Sequence, residues 1–240
     1  MQRDIKVRYR HSMLGMLWTV LNPLLMMVVL SIVFSNLFKN SIENYPVYVM
    51  IGNVVFNCGS EATNRGLSSI IWNSSLIKKV YIPKYLFPLS TVASSLINFG
   101  FSFIALLLVM FFTGAPFHPT LITFWIPLMY LIIFSLGLSL ALCAINVFFR
   151  DTEHLYGVFV TVWMYLSAIF YTIDILPETI AKVVYYNPMY QYITFFRQIL
   201  MEGVFPGIGT NLLCVSYALG ALVIGLFVFY KLQDRFILHI

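Results

Sequence analysis

Charge is scarce in this chain. Only 10% of its 240 residues are Asp, Glu, Lys or Arg against 60% apolar, and the mean hydropathy is +0.89. A soluble globule of this size needs far more polar surface, so the composition excludes one and leaves an integral membrane protein. Cysteine is scarcer still: Cys58, Cys143 and Cys214 are odd in number, lack CxxC spacing and fall inside apolar stretches. That pattern excludes a disulfide framework and makes them small apolar fillers. His11, His118, His154 and His239 are scattered, and no HExxH, GxSxG or GxxxxGK[ST] sequence occurs. The chain has no phosphate loop of its own for hydrolysing ATP, and it is read as a non-enzyme with no metal or cofactor site. Arg150, Asp151, Thr152, Glu153 and His154 form the one dense polar cluster between apolar stretches, where capping of two helices explains such residues better than catalysis.

What the chain does have is long apolar runs. Six reach the roughly 20 residues that a helix needs to cross about 30 Å of hydrocarbon. They lie at about Met16–Phe38, Pro46–Trp72, Phe87–Thr113, Thr120–Phe148, Leu155–Ile173 and Gly209–Lys231. The first is a full span rather than the short apolar core of a cleavable signal peptide. An open sheet would leave backbone groups unpaired in lipid, so the expected fold is all-helical. With these spans, Arg3, Lys6, Arg8, Arg10, Arg65, Lys78, Lys79, Lys84, Arg150, Lys231 and Arg235 fall on one side, and only Lys39, Lys182 and Arg197 on the other. Both termini are therefore expected in the cytoplasm. The net charge of +5 is explained by these flanking clusters and anionic headgroups, without nucleic acid.

Four segments depart from a plain bundle. Residues 73–88 are basic and punctuated by proline, with Lys78, Lys79 and Lys84 set before and after Pro83. They read as a short docking helix with a rigid exit, or as a solvated loop that only fixes topology. The second span carries Asn53, Asn57, Glu61, Asn64 and Arg65, too polar to face lipid all round. Glu61 and Arg65 stand i,i+4 in the favourable order, with Glu61 about 23 Å down the helix from Pro46. The helix either lines a path or subunit contact, or holds an internally satisfied pair near the inner interface. Residues 174–207 are apolar and aromatic but broken by Pro177, Pro188 and Pro206, which predicts two short helices meeting at Asn187-Pro188. These form a re-entrant hairpin on the outer side, or an amphipathic one lying on the leaflet. At the N-terminus, Arg3, Lys6 and Arg10 share one helical face, as in a helix lying in the inner interface, though topology anchoring alone also accounts for them.

These segments together carry a resemblance. RDIKVRYRHSMLGMLWTVLNPL, NSSLIKKVYIPKYLFPLS, FFRD and YYNPMYQYITFFRQIL, in this order over nearly the whole chain, resemble the permease subunits of bacterial ABC-2 type exporters. The group exporting O-antigen, capsule and teichoic-acid polymers is the most similar. Such permeases usually carry a longer lead before the Arg-Asp pair, and often Pro-Arg-Glu where this chain has Lys84-Tyr85.

The resemblance implies a single transmembrane domain over 1–240 in the bacterial cytoplasmic membrane. It implies two permease copies, a homodimer, working with two ATPase subunits that bind ATP and Mg. It assigns 1–15, with Arg3, Asp4, Lys6, Arg8 and Arg10, to an interface helix, and 73–86, with Asn73, Leu76, Lys78, Lys79, Tyr81, Pro83 and Lys84, to a coupling segment. A lipid-linked glycan would pass between the permeases. Aromatic faces suit a sugar polymer, so Tyr48, Phe56, Tyr186 and Tyr190 join Glu61 and Arg65 as candidates for the path or its gate, although an ordinary interfacial belt explains such tyrosines too. A permease for a lipid or small amphiphile is the alternative; a passive channel or scaffold would need no coupling segment.

Overall fold

The structure is a computed structural model that describes residues 44–239 together with 21, 24–29, 32, 33 and 42. The expected interface helix lies outside the described residues, as does most of the first span. Among the described residues every regular element is helical.

Helix α1 runs Tyr45–Trp72, with Pro46 in its first turn, where a missing N–H breaks no ladder bond. A four-residue helix α2, Ser74–Ile77, follows, and non-helical backbone leads through Pro83 into α3, Leu86–Thr113. Gly114 ends α3 in the left-handed conformation (φ 69°), and its N–H closes on the carbonyls of Met110 and Phe111. A 3-10 turn, Pro119–Thr123, feeds α4, Trp125–Phe148. Then come α5, Thr152–Tyr165; α6, Glu178–Tyr185; α7, Pro188–Arg197, prolonged by a π-turn at Gln198–Glu202; and α8, Ile208–Leu232, ending in a 3-10 turn at Gln233–Leu238.

Among the described residues three helical stretches are long and apolar enough to cross a membrane: Leu86–Thr113, Pro119–Phe148 and Ile208–Phe236. Helix α1 equals α3 at 28 residues but is too polar to stand with them on composition. It is instead the centre of the fold, packed against α3, α4, α5 and α7, with 20 of its residues buried. Its Val47, Met50, Ile51, Val54 and Val55 join Leu106, Met110, Leu131, Ile193 and Phe196 in the main core. Helix α8 lies along α4, where Gly137 and Gly225 bring the two backbones into contact; a Cβ on either would strike the other helix.

The break expected at Asn187-Pro188 is present, and Asn187 caps α7 by accepting from the Met189 N–H at 3.0 Å. The fifth stretch requires a correction. A span over Leu155–Ile173 was expected, but α5 stops at Tyr165 after 14 residues, about 21 Å of helix. The chain turns at once, with buried Ala168 at φ 47°, a left-handed conformation that local sequence gives no glycine to ease. The reason lies in side chains from elsewhere in the fold.

Candidate functional site

Four successive carbonyls after α5 are each taken by a distant side chain. Arg197 donates from Nη1 to Ala168 O (3.1 Å) and from Nη2 to Ile169 O (3.0 Å). Tyr45 Oη donates to Phe170 O (3.0 Å), and Tyr48 Oη to Tyr171 O (2.9 Å). The Arg197 guanidinium also stacks 3.4 Å from the centroid of the Tyr48 ring. Helix α1 comes so close that a Cβ at Gly52 would meet Ile169 Cγ2 at 2.9 Å. Residues 168–171 could not be left bare in an apolar setting, because each unmet carbonyl costs about 1–3 kcal/mol. The tyrosines and the arginine replace the helix that stops. Arg197 is 5% exposed, and no carboxylate pairs with it among the described residues. A second knot lies beneath: Asn187 accepts from Trp163 Nε1 (2.7 Å) and donates to Leu166 O (2.9 Å), tying the break before α7 to the end of α5.

Along α1 the exposure pattern is inverted for a membrane helix. From Val49 to Ile70 every residue is buried except Asn57, Glu61, Asn64 and Arg65. These positions, spaced by four, three and one, share one helical face, and all four are polar. Arg65 Nη1 lies 3.4 Å from Glu61 Oε1, and Asn98 Nδ2 on α3 donates to the same oxygen at 2.9 Å. The expected Glu61–Arg65 pair therefore forms, with α3 as a third participant. The remaining polar groups of α1 turn inward: Thr63 Oγ1 accepts from Tyr156 Oη (2.7 Å), Ala62 O from Ser139 Oγ (3.1 Å) and Leu67 O from Asn146 Nδ2 (3.2 Å). Of the aromatic candidates, Phe56 is buried edge-on against Trp163, with ring centroids 6.2 Å apart, and Tyr48 belongs to the Arg197 clamp. Tyr186 is exposed, its carbonyl accepting from Tyr217 Oη (2.9 Å), and Tyr190 is half-buried.

At the opposite end the segment after α1 divides its lysines. Asn73 ends α1 by donating to Ser69 O (2.8 Å). Leu76, Lys78, Lys79, Tyr81 and Pro83 are exposed, Tyr81 almost wholly so at 97%. Neither Lys78 nor Lys79 forms an ion pair among the described residues. Lys84 is committed: its Nζ donates to Gln233 O (2.6 Å) and sits 5.5 Å from the centroid of the Phe236 ring. The sequence treats the three lysines alike; the fold does not. Arg150, Asp151, Glu153 and His154 are exposed around the start of α5, and His118 bonds to Met201 O (3.2 Å). Among the described residues no three His, Cys, Asp or Glu side chains gather where they could hold a metal ion.

The site is thus a buried central helix with one polar accessible face, flanked by apolar helices and an exposed basic loop. The chain belongs to the ABC-2 type transporter family, whose model matches residues 1–201. It is similar to the O-antigen export system permease protein RfbA of Klebsiella pneumoniae, 32% identical with 98% of this chain and 90% of that protein covered. The protein of the same description from Myxococcus xanthus is 33% identical over 85% of this chain and 80% of its own length. The polysialic acid transport protein KpsM of Escherichia coli is 25% identical over 93% and 88%.

Proposed function

We propose that this chain is the membrane permease of an ATP-driven exporter that moves a lipid-linked polysaccharide of the O-antigen or capsule kind across the bacterial cytoplasmic membrane. The observation that carries the reading is the α1 face, whose accessible side chains are all polar in the middle of an otherwise apolar bundle. Lipid cannot satisfy Asn57 and Asn64; a hydrated glycan can. A small amphiphile would need no such continuous polar face, and the names of the relatives supply the polymer class.

The chain works as a homodimer with two ATPase subunits, which bind the ATP and Mg. Exposed Lys78, Lys79 and Tyr81 meet the ATPase on a segment framed by Asn73, Leu76 and Pro83, and the interface helix with Arg3, Asp4, Lys6, Arg8 and Arg10 adds a second contact. Six crossings, the fifth made by the short helix α5 together with the clamped turn at residues 166–173 rather than by one continuous helix, keep both termini cytoplasmic. The α6–α7 pair re-enters from the outer side, its non-helical approach protected by the Arg197 clamp.

The test is genetic and biochemical together. Loss of the chain removes the polymer from the cell surface while the lipid-linked form accumulates inside, and the tagged permease captures an ABC ATPase. Unchanged surface polymer in the deletion strain overturns the reading.

A further inference from the structure

We infer that Lys84 does not meet the ATPase but is the positioning residue that ties the coupling segment to the α4–α8 pair. The inference rests on the exporter reading above. Lys84 follows Pro83, whose fixed φ leaves little slack between the exposed tip and the start of α3. Its ammonium reaches the carbonyl of Gln233, the cap residue just after α8, among the C-terminal carbonyls that carry the negative end of the helix dipole. It lies beside the ring of Phe236, which is fully buried and packs on Phe229 and Phe148 at centroid distances of 5.5 and 6.2 Å. Ile77 and Ile82, on either side of the exposed tip, belong to the same apolar cluster as Phe236, Phe148, Leu140 and Val147.

The tip is thus free, and its base is fastened to the ends of α4 and α8. A push on Lys78, Lys79 or Tyr81 therefore moves three elements together. Without the Lys84 contact only the packing of Ile77 and Ile82 would hold the segment, and most of each ATPase stroke would be lost before it moved the bundle.

The test uses the full permease–ATPase complex in proteoliposomes and reads ATP hydrolysis, polymer transport and the amount of ATPase captured. Lys84→Gln should capture as much ATPase as wild type and hydrolyse ATP, while transport per ATP falls about tenfold, the ratio that one hydrogen bond to a charged group supplies. Lys84→Arg, which keeps the donor and the ring contact, should restore the ratio. Phe236→Leu, which keeps Lys84 but removes the ring, should lower the ratio less than Lys84→Gln and gives a readout if that variant is poorly expressed. Loss of ATPase capture in Lys84→Gln would make Lys84 a direct contact, and an unchanged ratio would make the tie irrelevant; either result overturns the inference. Failure of the wild-type permease to capture any ATPase would instead overturn the exporter reading.

Discussion

Helices α1 and α8 are of similar length, 28 and 25 residues, and solve opposite problems. Helix α8 buries only Cys214, Ala218, Gly225 and Phe229 and turns Leu212, Leu219, Val223, Ile224 and Phe227 outward. Its small residues give it a close fit to α4, and its large ones suit hydrocarbon. Helix α1 keeps Val, Ile, Met and Phe inside and shows Asn57, Glu61, Asn64 and Arg65. Two helices of one apolar protein thus present different surfaces, one apolar and the other polar. Composition sets α8 among the membrane-length apolar helices and leaves α1 below them, although α1 is the helix around which the others pack.

The largest effect is expected where α1 grips the turn after α5. Arg197→Leu orphans two buried carbonyls at roughly 1–3 kcal/mol each and removes a cation–π contact, a loss of about 4 kcal/mol in all. Thermal unfolding of the detergent-purified permease should show it, whereas Tyr45→Phe, which deletes one hydroxyl, should cost about 1 kcal/mol. Equal effects of the two substitutions would show that the clamp does not centre on the arginine.

The same substitution placed on both helices sharpens the contrast. Ile224→Lys puts a charge on the lipid face of α8, with an insertion cost of about 3 kcal/mol at mid-membrane. Asn64→Lys on the polar face of α1 should be tolerated at under about 1 kcal/mol, because its surroundings already accept Glu61 and Arg65. Membrane-integrated yield measures both. Similar losses at the two sites would erase the distinction drawn between the helices.

The smallest effect concerns the ion pair. Glu61 and Arg65 side chains are 25% and 29% exposed, so solvent screens them, and Glu61→Gln should lower stability by about 1 kcal/mol at most. Export should fall more than stability does. Glu61→Arg combined with Arg65→Glu should recover part of the loss in export; if it recovers none, the two charges act separately.

Much of this fold was legible in the sequence because apolar length is a local property. The expected Phe87–Thr113 and Gly209–Lys231 are observed as Leu86–Thr113 and Ile208–Leu232, and the proline at 188 marks its own break. The early end of α5 was not legible. Leu166 to Ile173 is as apolar as a span, and the groups that stop the helix come from Tyr45, Tyr48 and Arg197, far away in the chain. One signal for Arg197 did exist: it is a cation on the side where the charge rule puts few, and burial is a reason for such an exception. Asn57 and Asn64 counted in the sequence only toward the polarity of α1, because which of its polar residues stay accessible is decided by the packing of α3, α4 and α5. Lys84 looked like Lys78 and Lys79 for the same reason, since its partner Gln233 is 149 residues away.

Thiol labelling of the two helices tests the central claim most directly. In a background with Cys58, Cys143 and Cys214 replaced by alanine, single cysteines are placed at Asn57 and Asn64 on α1 and at Val223 and Ile224 on α8. A membrane-impermeant, charged maleimide is applied to the working exporter, with and without polymer trapped in transit. The account predicts labelling at 57 and 64, protection of both by trapped polymer, and silence at 223 and 224. Silence at all four positions, or labelling at 57 and 64 that trapped polymer leaves unchanged, would contradict it.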